Sequence, residues 1–161
     1  MKERQTSPHT VREYDAELNK LRDKVVSMGI LAEHQLTTAI EALVNMDVDV
    51  GTKVIAEDET VNDMQVEIDG MCTWLIAHRQ PAAADLRLVL AAIKITTDLE
   101  RVADQAKNIA RITSMLSEES NTEKPIDCIG AQHVGRYIAG LLHSAVDTFS
   151  RSQTMGAETF L

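Results

Sequence analysis

Between residues 11 and 43, apolar side chains return at steps of three and four: Val11, Tyr14, Leu18, Leu21, Val25, Met28, Ala32, Leu36, Ala39 and Leu43. That spacing lines one side of a long helix and predicts it from about Val11 to Met46. Asp47 to Gly51 breaks the pattern with residues that end and start helices, and Asp49 can cap the next N-terminus. A second helix is predicted from about Val50 to His78. Val54, Val61, Ile68 and Leu75 recur in it every seven residues, and Met64, Met71 and Cys72 widen the stripe. Pro81 closes that helix, because the proline ring pushes Gln80 out of the α region.

The third predicted helix opens at Pro81, a residue tolerated at the first helical position, and runs to about Leu116. Leu88, Ala92, Ile95, Leu99, Val102, Ala106, Ile109, Thr113 and Leu116 alternate steps of four and three without a break. Leu86, Leu90 and Ile93 form a second stripe, and a helix apolar on two sides is sandwiched between partners or contributes to an interface. Ser117 to Pro125 reads as a polar linker. A fourth helix follows from about Ile126 to Ser152, with Ile126, Ile129, Val134, Ile138, Leu141, Ala145 and Phe149 on its apolar side, and residues 153–161 carry no clear signal. Short connections force neighbouring helices antiparallel, so the expected fold is all-α: an antiparallel three-helix bundle plus one further helix.

One internal repeat is visible. Leu36 to Leu43 resembles Leu142 to Phe149 at a shift of 106 residues, and the same shift lays Met28-Gly29 on Val134-Gly135. Taken literally, the fourth helix is the first helix of a second copy. The domain reading is a three-helix repeat over residues 10–118 and a partial second repeat over residues 122–161. The lone helix then has an apolar stripe to cover. It folds back onto Leu86, Leu90 and Ile93, pairs with another chain or aggregates; a sticky repeat end favours self-association, a homodimer.

Composition narrows the function. Of the residues 44% are hydrophobic but only 3% aromatic, so the core is built of Leu, Ile, Val, Ala and Met. The net charge of −9 disfavours contact with nucleic-acid phosphates. The polar N-terminus has no signal-peptide pattern, and no apolar run is long enough to cross a membrane; cytoplasm follows by elimination. Cys72 and Cys128 lie in no CxxC pair and read as buried free thiols.

Candidate chemistry gathers on the third helix. Glu100 and Asp104 are four apart, which places both carboxylates on one face. They continue the stripe Leu86, Leu90, Ile93, Thr97, roughly opposite the core seam, and so are expected on a surface or second interface. The pair is either a solvated face neutralised by Arg101 or Lys107, or part of a divalent-cation site, since hard cations take several oxygen ligands. On the second helix Asp58, Asn62, Gln65 and Asp69 form a polar edge that an antiparallel third helix would meet. None of the five histidines has Glu three residues before it, which excludes a ferritin-like di-iron pattern, and HExxH, Walker, GxGxxG and GxSxG patterns are missing. No nucleophile stands at a recognisable spacing from a base, so a non-enzyme is expected.

These residues carry a family likeness. Arg79-Gln80-Pro81 followed by Asp85-Leu86-Arg87 resembles the RQP-x-x-x-DLR junction of PhoU proteins, and Asp98 to Asp104 resembles that family's E(D)xxxD motif. Tyr14 to Leu18 with Met28-Gly29 is similar to the family's opening helix. Asp58, Val61, Asn62, Ile68 and Asp69 are similar to its second. The resemblance implies a regulator of phosphate uptake and phosphate-starvation signalling that damps the response. Its implied partners are the ATPase subunit of the phosphate ABC importer and a sensor histidine kinase. It also implies iron or zinc at the acidic motif, with Glu100 and Asp104 as ligands and Asp58 and Asn62 as neighbours. The alternative function is a helical bundle that binds a divalent metal or iron, with a storage or sensing role. The sequence departs from the family in carrying one acidic motif where two are expected.

Overall fold

The computed structural model describes residues 8–120 and 129–151. It contains α1 (Pro8–Asn45), α2 (Val48–Arg79), α3 (Ala83–Ser120) and α4 (Ile129–Arg151), with no strand among the described residues. The helices α1, α2 and α3 pack pairwise into an antiparallel bundle, and α4 packs along α1. The segment 121–128, including Cys128 and most of the expected linker, and residues 153–161 lie outside the described residues; the first four linker positions continue α3.

Both connections are tight, and each turns on backbone conformations unusual for its residues. Met46 has φ 55°; its N–H reaches the Leu43 carbonyl at 3.3 Å and the Asp47 N–H reaches Ala42 at 2.9 Å. This pattern ends a helix with a left-handed residue, here a methionine where glycine is usual. The cap of α2 is Asp47, not Asp49: its Oδ1 accepts from the Val50 N–H at 3.0 Å. Gln80, before the proline, is also left-handed (φ 50°, ψ 58°). Pro81 does not open α3, which starts two residues later at Ala83.

The seven-residue line of α2 is the centre of the core: Val54, Val61, Ile68 and Leu75 are all buried. On α1 the buried line is Leu18, Leu21, Val25, Met28, Ala32, Leu36 and Ala39, as the spacing predicts. On α3 the buried face is rotated from the expected seam. Ala92, Leu99, Ala106 and Thr113 are buried as read. Val89, Thr96, Ala103 and Ala110 are also buried, while Ile95, Val102 and Ile109 are half-exposed. The small side chains let the helices approach closely: a Cβ built on Gly51 of α2 would lie 3.4 Å from the Ala110 carbonyl oxygen. The second stripe of α3 does not receive α4, and Leu86 and Leu90 are exposed.

The fourth helix lies on α1. Gly29 abuts Val146, His143 bonds Glu33 at 3.2 Å and Gly135 abuts Ile40, so the two helices are antiparallel. The contact is reciprocal. Shifting Gly29 and Ile40 by 106 residues gives Gly135 and Val146, so each helix offers a glycine to the β-branched side chain of the other. The helices that match as repeats are therefore related in space by an approximate twofold axis normal to their plane. Leu142, Val146 and Phe149 join the apolar cluster of the bundle.

Candidate functional site

The polar edge between α2 and α3 is only partly assembled. Asp58 is 3% exposed and faces α3, where the Lys107 ammonium donates to its Oδ2 at 2.5 Å. Asn62 is exposed and donates its amide N–H to the same Oδ2 at 3.4 Å. Gln65 is half-buried and Asp69 points to solvent. Glu100 and Asp104 are half-buried one and two turns before Lys107, on the α2 side of α3 and not opposite the core. Arg101 is turned away, 3.6 Å from Asp98 on the exposed face.

Asp58 is buried against the core, so its charge needs a partner. Lys107 supplies it from α3, reaching over the Ala103–Ala110 surface with its ammonium still part-exposed. With Lys107 seated there, Glu100 and Asp104 precede it along the same face of α3, and a hard dication takes several oxygen ligands. Among the described residues no three His, Cys, Asp or Glu side chains converge in a metal-holding geometry. The four residues singled out by sequence therefore lie along one edge of the α2–α3 pair.

The junction motif has a different role. Arg79 at the end of α2 grips Glu17 of α1 through two bonds of 2.8 and 2.7 Å, which raises the guanidinium's affinity for its proton. Its Cζ lies 5.4 Å from the centre of the Trp74 ring, which stacks on His78 at 4.8 Å. In the first turn of α3, Asp85 accepts from the Tyr14 hydroxyl at 3.1 Å. Burial, then that bond and the Asp85 charge, push the Tyr14 hydroxyl up to about 12. Arg79 and Asp85 thus fasten both ends of the α2–α3 turn to α1. The family likeness marks all four residues, but not that Arg79 pairs with Glu17 and Asp85 with Tyr14 across more than sixty residues of chain. Beside Arg79 is a shallow cleft of about 310 Å³ lined by Glu17, Lys20, Gly70, Met71, Trp74 and Leu75.

The comparisons agree with this architecture. A family model described as PhoU domain matches residues 25–113, more than half of the chain. The phosphate-specific transport system accessory protein PhoU of Serratia marcescens is 43% identical over 143 residues, covering 89% of this chain and 58% of the relative. The protein of the same name in Escherichia coli K12 is 39% identical over the same length. Among solved structures, PhoU from Pseudomonas aeruginosa superposes with a TM-score of 0.80 at 36% identity, covering 86% of this chain and 65% of that one. The phosphate transport system regulatory protein PhoU from Streptococcus pneumoniae gives 0.75 at 25% identity. The chain spans less than two thirds of the length of these relatives. By family match, sequence identity and fold, this chain belongs to the PhoU family.

Proposed function

We propose that the chain regulates phosphate uptake and represses the phosphate-starvation response without catalysing a reaction, as a cytoplasmic protein. It does so by docking on the ATPase subunit of the phosphate ABC importer and on a sensor histidine kinase. The observation that carries this reading is the identity of 34–43% to proteins named phosphate-specific transport system accessory proteins, over most of the chain. The helical surface supports docking: no described helix is long and apolar enough to cross a membrane, and the bundle offers shallow clefts.

The test is complementation. In a bacterium lacking its own family member, the chain should restore repression of a starvation reporter in phosphate-rich medium and co-purify with the importer's ATPase subunit. A reporter that stays on, with no ATPase subunit captured, sinks the reading. The metal alternative is separable in the same strain. Glu100→Ala with Asp104→Ala should leave repression and helicity intact if docking carries function; loss of repression with an intact fold would return the acidic edge, and a cation on it, to the centre of the mechanism.

A further inference from the structure

The cleft beside Arg79, between α1 and α2, has a wall and a floor that the bundle itself does not use. Trp74, the one tryptophan of the chain, forms the wall and is 40% exposed. Its ring is held by the His78 stack at 4.8 Å and by the Arg79 guanidinium 5.4 Å from its centre, which Glu17 holds in turn. A ring ordered in advance loses little entropy when a ligand packs on it. One turn earlier, Gly70 lies in the floor. No atom comes within 4 Å of the Cβ it lacks, so a residue that weakens a helix interior serves no packing contact among the described residues. Val66, a further turn back, is 72% exposed, and Val66, Gly70 and Trp74 make one stripe at steps of four. The cleft is built by α1 and α2 alone. Lys20, on its α1 side, comes nine residues before Gly29 and so lies on the face of α1 opposite α4.

We infer that this cleft is the docking site for a basic amphipathic helix of a partner protein, with one apolar side chain seated over Gly70 against Trp74 and its lysines or arginines on the acidic outer face of α2. The inference rests on the reading that the chain acts by docking, and it names the surface used. Charge selects the occupant. α2 carries seven carboxylates against two cations, Lys53 and Arg79. Asp63 and Glu59 stand on the outer face two and three turns before Gly70, exposed and without an ion pair among the described residues, whereas Glu67 is taken by Lys24 at 2.6 Å. The stripe from Glu59 to Trp74 is about 22 Å long at 1.5 Å per residue, the length of a four-turn helix. An amphipathic helix laid in a groove presents this combination of apolar anchor and flanking charge. A second copy of the chain, at −9, and an anionic membrane are both repelled by the acidic stripe, and a small apolar molecule leaves it unused.

Trp74 emission reads occupancy directly, since no other tryptophan contributes. Titrating the full chain with a tryptophan-free amphipathic helix of leucine, lysine and alanine should shift the emission to the blue, saturate, and weaken as salt rises. The same peptide with glutamate for lysine should leave the emission unchanged. Gly70→Ala is the decisive variant: it should raise Tm yet weaken the peptide by at least about tenfold, because its methyl fills the floor. Glu59→Lys with Asp63→Lys should weaken binding and flatten its salt dependence. The variants are then measured against the purified ATPase subunit and the kinase, where Trp74→Ala should weaken whichever binds the parent chain by at least about thirtyfold. Several results overturn the inference: no response to the leucine–lysine peptide, a response only to anionic lipid vesicles, an equal response to the glutamate peptide (the mark of a site for any small apolar group), or peptide and partner affinities that Gly70→Ala leaves unchanged. A parent chain that takes the peptide but neither partner upholds the cleft and sinks the docking reading instead.

Discussion

Lys107 and Gln35 show how one residue sets local stability at a helix interface. Asp58 is nearly sealed from water and takes its charge partner from Lys107, so Lys107→Met leaves a buried carboxylate with only the 3.4 Å Asn62 amide bond. The expected cost is about 2 kcal/mol in urea unfolding, reduced from the fully buried case because the ammonium is part-exposed. Adding Asp58→Asn should recover most of it. The same Lys107→Met variant should bind Mn²⁺ or Zn²⁺ more tightly than the parent in calorimetric titration; unchanged binding would mean that Lys107 does not keep cations from Asp58. Gln35 is the opposite case, 1% exposed with neither amide atom bonded among the described residues. Gln35→Leu removes an unpaired buried amide and should stabilise by about 1 kcal/mol or more. Two further residues set an alkaline limit. Burial, with the Asp69 charge, pushes the Cys72 thiol up from 9.0 to about 11, and Tyr14 rises from 10.0 to about 12. Both folded values exceed the unfolded ones, so their stabilisation is complete below pH 9 and is lost as pH rises from 9 to 12. Stability measured against pH should fall over that interval, and Tyr14→Phe should flatten its upper part; an unchanged slope would show that Tyr14 does not titrate late.

At the scale of elements, the glycines separate helix propensity from helix packing. Alanine in place of a helical glycine gains about 1 kcal/mol when nothing is in the way. Gly70 has no atom within 4 Å of its missing Cβ, so Gly70→Ala should stabilise by that amount. At Gly29 the Cβ would lie 2.5 Å from Val146 Cγ2 and 3.1 Å from Cγ1, and valine is stiff at χ1. Gly29→Ala should therefore destabilise by about 1–2 kcal/mol net and loosen α4, read as faster amide exchange across α4 with α2 unchanged. Gly135→Ala meets the end of the longer Ile40 side chain, which can turn aside, so it should cost less. An equal loss at both positions would contradict the packing read here. The α2–α3 turn is held in another way, by Arg79 on Glu17 and Asp85 on Tyr14, bonds from helix ends to the N-terminal third of α1.

The described residues form a three-helix bundle with a fourth helix laid on α1 by approximate twofold symmetry. α1 is thereby covered by α2, α3 and α4, while α4 is covered on one side only. Ending the chain after Ser120 should leave a helical bundle, because the central line Val54, Val61, Ile68 and Leu75 needs no part of α4. Its Tm should fall by at least about 5 °C, since Leu142, Val146 and Phe149 no longer cover the cluster they join. Complete unfolding instead would make the four helices one cooperative unit.

The all-α fold, the number of helices, both tight turns and the buried lines of α1 and α2 were legible in the sequence, because a period of three to four residues is a local property of the chain. The sequence likeness at a shift of 106 residues pairs Gly29 with Gly135 and Ile40 with Val146, the four residues of the α1–α4 contact. What one dimension could not hold was rotation and partnership. The apolar positions of α3 fit two faces almost equally well. Only packing against two neighbours selected Val89, Thr96, Ala103 and Ala110, whose small size permits close approach, and turned Glu100 and Asp104 toward α2. Asp58 reads as a margin residue until α3 places Lys107 against it, forty-nine residues away. The destination of α4 was likewise open, since an amphipathic helix specifies a face to cover but not the surface that covers it. The tertiary structure chose α1 because two glycines there and on α4 admit each other's β-branched side chains.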